Sequence, residues 1–413
     1  MNILHLSSTD NIGGRFTGYS MQEALSPKHK VEMAVWNRTT SNPWIHSLKP
    51  NRLFRILINL IRKLDHNLGF EGLMGISGWI LPEQDFFKRS DILHLHLIHN
   101  DAFFSVLSLP MLSRLKPIVW TIHDPWAMTG GCVYSFDCER WQNGCAAPCP
   151  HPRHSSVFQQ KIPAFHWKIK KYIYQKSNIN LIVASNWMKK RVEKSPLLAG
   201  LPCHLIPFGV DLDIFKPYSK VESRRKLGID PNHKIIAFRD VGLEGDQFKG
   251  MKWLKESLEL LEPKTPTCLI ALQDGRSFQS LRSKYTVLTP GWIDGEQLAL
   301  TLSAADIFVM PSIQEAFGLM AVEAMATGTP VIVFEGTALP DVIGINQGGI
   351  VVPAKDSSAL AAAIKLLLEN NDLCNKLGKQ ARYLAEQQYG LPLYIERHIR
   401  LYEQVMKDYN RRI

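Results

Sequence analysis

The sequence predicts an α/β protein of two doubly wound domains, each a parallel sheet with helices on both faces. Three observations lead there. The chain has 413 residues, about 2.8 times a typical domain, so two domains are expected and three are the upper bound. Short apolar runs alternate with helical stretches, and continuous apolar strands between helices belong to parallel sheets buried on both faces. Twelve such runs are too many for one compact sheet, and no long linker separates two unrelated compositions.

In chain order, the first-half strands are expected at Asn2–Leu6, Val31–Trp36, Ile92–His96, Pro117–Ile122, Leu181–Ala184 and His204–Ile206. Those of the second half fall at Lys234–Phe238, Thr267–Leu272, Tyr285–Leu288, Ile307–Val309, Pro330–Phe334 and Gly349–Val351. Helical patterns lie between them at Lys252–Leu261, Gly295–Ala304, Leu319–Thr327 and Ser358–Asn370. Pro207–Pro217, with a proline at each end, is the expected hinge. Residues 1–206 then form the first domain, with a Cys-rich loop at 129–151, and residues 207–390 the second. The remainder, 391–413, reads as a long amphipathic helix with Ile395, Ile399, Leu401, Tyr402 and Val405 on or near one face. It packs on one domain or crosses back to the first.

The composition, 45% hydrophobic and 21% charged, excludes disordered, collagen-like and coiled-coil classes. Formal charge is 48 − 38 = +10, which favours anionic partners: nucleotide phosphates, nucleic acid or an acidic membrane surface. No run of 18 apolar residues is present, so no transmembrane helix is expected. The segment Met1–Ser8 lacks a basic region and a long apolar region, so a cytoplasmic protein is expected rather than a secreted one. Seven cysteines, an odd number, then argue for thiols or a metal site over a disulfide framework.

The most informative stretch is Pro311–Ile332. It opens after strand Ile307–Val309, at the carboxyl edge where open α/β sheets bind ligands. A loop with Glu315 and Gly318 leads into a helix whose first amides, Phe317, Gly318, Leu319 and Met320, can hold an anion with help from the helix dipole. Glu315 lies before that N-terminus and Glu323 one to two turns inside it, so both carboxylates reach one site and suit ribose or sugar hydroxyls. The alternative makes Glu315 a cap and Glu323 part of a solvated face. Lys249-Gly250 follows the loop Arg239–Phe248 at the same edge, where a lysine neutralises phosphate as a point cation or stands as an ordinary surface lysine. In the first domain, Ser7–Gly18 is a Gly-rich loop after the first strand, neither GxGxxG nor a P-loop. His123-Asp124 ends strand Pro117–Ile122; such a histidine binds a sugar hydroxyl, moves a proton, or caps a turn.

Together these residues resemble the retaining glycosyltransferases of family four, and the segment Thr-Gly-Gly-Cys132…Cys138-x-x-Trp-x-x-Gly-Cys145…Cys149-Pro is similar to the branch that serves bacterial polysaccharide biosynthesis. The resemblance rests on Glu315-x₇-Glu323 with Pro-Ser before it and Ala-Met-Ala-x-Gly-x-Pro-Val-Ile after it. Asn-Ile-Gly13-Gly14, Thr-Ile-His123-Asp, Ile-Pro-Phe-Gly-Val-Asp211, Lys249-Gly250, Gly291-Trp292-Ile293 and Ala304–Ser312 follow the family's order. It implies a GT-B fold, two Rossmann-like domains facing each other across a cleft. It further implies a UDP- or GDP-sugar donor, held mostly by the second domain, and a glycan or lipid-linked acceptor. Carried over by residue, Glu323 holds the ribose and the backbone at Trp292-Ile293 meets the base. Lys249 and the Phe317–Met320 amides cradle the pyrophosphate, and Glu315 contacts the donor sugar. Gly13-Gly14 close over the phosphates, and His123 touches the sugar near the reacting centre. The family needs no obligatory divalent metal. Its arginine usually stands in a Gly-Arg pair close to the lysine; here Arg239, ten residues upstream and after Phe238, takes the part of second phosphate cation.

Cys132, Cys138, Cys145 and Cys149, with His151 nearby, place four thiolates within 18 residues. They suit a structural Zn²⁺, a disulfide or redox pair, or free buried thiols. Two basic stretches, Leu53–Leu64 and Phe165–Lys176, would lie on anionic lipid at the inner face of the cell membrane, or pack on their own domain with the charges solvated. In the first, Leu53, Leu57, Leu60 and Leu64 share a face, with Arg52, Arg55, Arg62 and Lys63 opposite. Two other functions remain open: an epimerase-like GT-B enzyme, lacking recognisable acid/base carboxylates in the first domain, and a basic, zinc-containing nucleic-acid-binding protein. Against the latter stand the absence of a recognisable nucleic-acid motif and the Glu-x₇-Glu block.

Overall fold

A computed structural model describes residues 1–10, 20–49, 58–61, 63, 65, 72–99, 103–150, 160–242 and 246–412. Two compact units are present. The first comprises Met1–Ala184, Met188–Ile206 and Ile395–Ile413, the second Ser185–Trp187 and Pro207–Tyr394.

The first unit is built on seven parallel strands: β1 (Asn2–Thr9), β2 (Lys30–Asn37), β3 (Ile45–Ser47), β4 (Ile92–Leu95), β5 (Ile118–Thr121), β6 (Ile179–Val183) and β7 (Cys203–Leu205). Their spatial order is β3-β2-β1-β4-β5-β6-β7. Leu4, Leu6, Leu93, Leu95, Val119 and Leu181 have no exposed surface, and each such side chain contributes roughly 1.5–3 kcal/mol of burial. All the strands read from the apolar runs are present. β3 is additional: three residues with only Ile45 buried carry no run long enough to register.

The second unit has six parallel strands: β8 (Lys234–Asp240), β9 (Thr267–Gln273), β10 (Thr286–Leu288), β11 (Ile307–Met310), β12 (Val331–Phe334) and β13 (Gly349–Val352). They lie in the order β10-β9-β8-β11-β12-β13. Its core joins Phe238, Leu254, Leu269, Phe278, Val309 and Ile332. In each sheet the order reverses once, between β1 and β4 and between β8 and β11. The carboxyl ends of the strands flanking such a reversal open a crevice where ligands bind. The fold is thus α/β with two doubly wound sheets. Residues 207–217 belong to the second unit, where Val210 N–H donates to Tyr389 O at 2.7 Å and Leu391 N–H to Val210 O at 2.9 Å.

The last helix, Leu391–Asn410, groups with the first unit from Ile395 onward. Its buried face there is His398, Leu401, Tyr402 and Val405. Ile395 and Ile399, expected on that face, are only half-buried. The basic stretches also differ from expectation. In Ile162–Gln175, Lys170 turns into the core, donating to Trp126 O at 2.7 Å and Thr129 O at 3.1 Å, so it is not among the charges a lipid surface would meet. Phe165, Lys168, Tyr172 and Lys176 remain exposed. Of the Leu53–Leu64 face, Leu60 is exposed while Ile58 is buried; Leu53, Leu57 and Leu64, with Arg52, Arg55 and Arg62, lie outside the described residues. Among the described residues no helix is long and apolar enough to cross a membrane.

Candidate active site

In the second unit, β11 ends at Met310 and the loop Pro311–Gly318 leads into the helix Leu319–Ala326. Gly318 caps that helix with φ 95°. A Cβ there would stand 2.3 Å from Leu339 Cδ2, so both the backbone angle and the space call for glycine. The amides of Leu319 and Met320 form the N-terminus of the helix, where backbone N–H groups lack intrahelical acceptors and attract anions. Phe317 is buried, its ring 5.1 Å from Phe208 and 5.7 Å from Tyr389. That aromatic cluster anchors the loop from beneath.

Lys249 closes the turn Asp246–Lys249, which follows β8 across the strand reversal. Ile313 N–H donates to Phe248 O at 2.9 Å, and a Cβ on Gly250 would stand 2.0 Å from Pro311 O. The two loops are therefore docked backbone to backbone. Lys249 Nζ donates to Glu315 Oε2 at 2.7 Å, with side chains 22% and 16% exposed. Glu315 is thus an ion-pair partner and not the helix cap. Glu323 is fully buried in the helix, which excludes the solvated-face alternative. Lysine, helix N-terminus and Glu315 thus meet at one sheet edge, with Glu323 buried further along the same helix.

Arg239 lies inside β8, which runs two residues beyond the expected end at Phe238. Its Nε donates to Gln273 Oε1 at 2.8 Å and its guanidinium stands 5.8 Å from the Trp292 ring. Trp292 is 61% exposed and Ile293 half-buried. Exposed indole and guanidinium offer a flat stacking surface.

In the first unit, Gly13 and Gly14 lie outside the described residues. His123 stands two residues past β5, half-buried. Burial lowers its pKa to about 4, opposed by Asp124 and assisted by His99, so its imidazole is neutral at pH 7. Asp124 accepts Trp126 N–H at 2.8 Å and lies 3.3 Å from His99 Nε2; it builds the turn beside His123.

Cys132, Cys138, Cys145 and Cys149 line one pocket of about 200 Å³ with Phe136, Trp141 and Pro163. Burial pushes the Cys145 thiol up to about 11. Among the described residues, the one trio of metal-competent atoms within 4.8 Å of one another is His5, His94 and His96. His151 lies outside the described residues.

That histidine cluster escaped the sequence reading. His5 and His94 face each other across the β1–β4 register and His96 follows two positions on. The period-2 spacing His94-x-His96 on a strand was the available signal; no sequence rule adds His5, His123, His398 and Tyr402 to it.

The family model described as glycosyl transferases group 1 matches residues 222–383. D-inositol 3-phosphate glycosyltransferase of Mycobacterium marinum is 33% identical over 386 residues, covering 88% of this chain and 75% of the relative. Among solved structures, sucrose-phosphate synthase of Thermosynechococcus elongatus superimposes with a TM-score of 0.70 at 19% identity, covering 99% of this chain and 100% of the other. Anabaena HepE in complex with UDP and glucose gives 0.64 at 15% identity, covering 98% and 100%. These likenesses show the GT-B fold. The relationship across nearly the whole length places the chain in the group 1 glycosyltransferases.

Proposed function

We propose that the protein transfers a hexose-type sugar from a nucleoside diphosphate donor to a glycan or lipid-linked acceptor, retaining the anomeric configuration, in polysaccharide biosynthesis. The observation that carries this reading is the Lys249–Glu315 pair at the N-terminus of Leu319–Ala326. Breaking the glycosidic bond leaves negative charge on the diphosphate. Lys249 and the helix amides supply positive charge where that develops, without reorganising at the moment of reaction. The donor's phosphate displaces Glu315 from Lys249, and the released carboxylate turns to the sugar hydroxyls. Glu323 holds the ribose, Trp292 and Ile293 meet the base, and Arg239 beside Trp292 adds a second cation. Gly13-Gly14 close over the phosphates. Neutral His123 hydrogen-bonds the sugar near the reacting carbon. The exposed Phe165, Tyr172, Lys168 and Lys176 suit an acceptor presented at an anionic membrane surface.

The test is thermal unfolding against UDP, GDP, ADP and their sugars, followed by product analysis with labelled donor. A ligand at about 100 times its Kd adds roughly 2.7 kcal/mol of stability, a readable shift. One nucleotide class should raise the midpoint, and the product should keep the donor's anomeric configuration. Absence of any shift in folded protein, together with silent donor hydrolysis, overturns the proposal; an epimerised donor formed without acceptor replaces it with the epimerase reading.

A further inference from the structure

The loop that leads into Leu319–Ala326 is tied down on its carbonyl side. Glu315 O accepts Ala338 N–H at 3.1 Å, and Ala316 O accepts Ser185 Oγ–H at 2.7 Å. Gly318 O takes the amides of Ala321 at 2.9 Å and Val322 at 3.4 Å. From Glu315 to Met320, by contrast, no backbone amide finds a backbone acceptor among the described residues. Phe317 and Gly318 are buried, where an amide left without a partner is costly. A segment that spends its acceptors on protein and keeps its donors suits an anion.

Ser185 is the side chain that holds this loop by its backbone. It is 4% exposed and, with Asn186 and Trp187, groups with the second unit. Trp187 Nε1–H donates to Gly336 O at 3.1 Å. Gly336 follows β12, two residues before the Ala338 amide that holds Glu315 O. The segment Ser185–Trp187 therefore fastens the loop after β11 and the loop after β12 together.

A peptide unit is planar and trans, so its C=O and N–H point in opposite directions. Fixing Ala316 O on the Ser185 hydroxyl turns the Phe317 N–H to the other side. Without that hydroxyl the Ala316–Phe317 peptide can rotate at the cost of one neutral hydrogen bond, and the Phe317 amide loses its aim.

We propose that Ser185 is a positioning residue for the donor phosphates: its hydroxyl holds the Ala316–Phe317 peptide so that the Phe317 amide stays available to a phosphate oxygen. This rests on the donor reading above and adds to that site a residue 131 positions away in the chain. A hydroxyl that only satisfied the Ala316 carbonyl would support the fold and every ligand alike. One that aims an amide at phosphate affects only ligands that carry phosphate.

The test titrates the full chain with UDP, GDP and ADP, and with uridine, guanosine and adenosine read by displacement of the bound diphosphate. Ser185→Ala should weaken the diphosphate about 3- to 10-fold, the scale of one net hydrogen bond, and leave the nucleoside unchanged. Its kcat/KM for the sugar donor should fall by a similar factor at unchanged acceptor KM. Ser185→Thr, which keeps the hydroxyl, should restore diphosphate affinity. Diphosphate affinity in folded Ser185→Ala equal to wild type overturns the proposal. So do equal losses for nucleoside and diphosphate, and so does a Ser185→Ala protein that does not fold, since either makes the hydroxyl a support of the fold. These results are read on Ser185→Ala alone and hold even if Ser185→Thr misfolds. A wild type that binds no nucleoside diphosphate overturns the donor reading itself, a result distinct from wild-type binding that Ser185→Ala leaves untouched.

Discussion

Glu315→Gln separates the two jobs given to the Lys249–Glu315 pair. At 2.7 Å, with both side chains mostly shielded from water, this charge-assisted contact is worth on the order of 1–2 kcal/mol net. A diphosphate that takes Lys249 must give up that amount first. The glutamine cannot hold the ammonium as an anion does, so the free nucleoside diphosphate should bind about 5- to 30-fold more tightly, at tenfold per 1.4 kcal/mol. Turnover should move the other way, because the carboxylate that contacts the sugar is gone. Lys249→Met is the control: it should weaken diphosphate binding and lower kcat by roughly 10²–10³, the scale for removing a fixed electrostatic partner of the leaving group. Isothermal titration with the nucleotide that raises the melting midpoint supplies Kd, and steady-state kinetics supplies kcat. If folded Glu315→Gln binds the diphosphate no better than wild type, phosphate does not compete with Glu315 for Lys249.

Three further outcomes are expected. Arg224, buried, donates to Asp306 Oδ2 at 2.9 Å and to three backbone carbonyls; Arg224→Met should destabilise the second unit by about 1.5–3 kcal/mol, because the three carbonyls lose their donor while Asp306 keeps Lys220 Nζ at 2.7 Å and Ile235 N–H at 2.7 Å. Denaturant midpoints within about 1 kcal/mol of wild type, on the scale of ordinary surface changes, would contradict this. Below pH 6.5 the unfolded chain protonates histidines that the folded one keeps neutral, with His5 at about 3 and His123 at about 4. Stability is therefore complete above that pH and lost as pH falls toward 4, by up to about 1.4 kcal/mol per unit for each such histidine; a flat melting midpoint between pH 7 and 5 would refute it. Finally, the four cysteines that line one pocket are expected, if they bind structural zinc, to give untagged protein one equivalent per chain that Cys145→Ser removes; metal analysis showing well under one equivalent leaves them as thiols.

The strand pattern was legible because parallel strands buried on both faces must be apolar, and of the thirteen strands among the described residues all but the three-residue β3 fall on such runs. The edge that holds Glu315 and Gly318 was legible for a related reason: a loop between an apolar strand and a helix falls at the carboxyl end of its sheet. Contacts made across the sheet were not. Whether Glu315 caps a helix or grips Lys249 depends on β8 and β11 being neighbours, which strand order decides and local sequence does not encode. The histidine cluster is the extreme case. His5, His96 and His123 are far apart in the chain, and each alone resembles a core or turn histidine. Hydrogen bonds couple them only once β1, β4 and β5 lie side by side, because a shared proton requires nitrogens within about 3 Å, a separation that tertiary structure alone supplies.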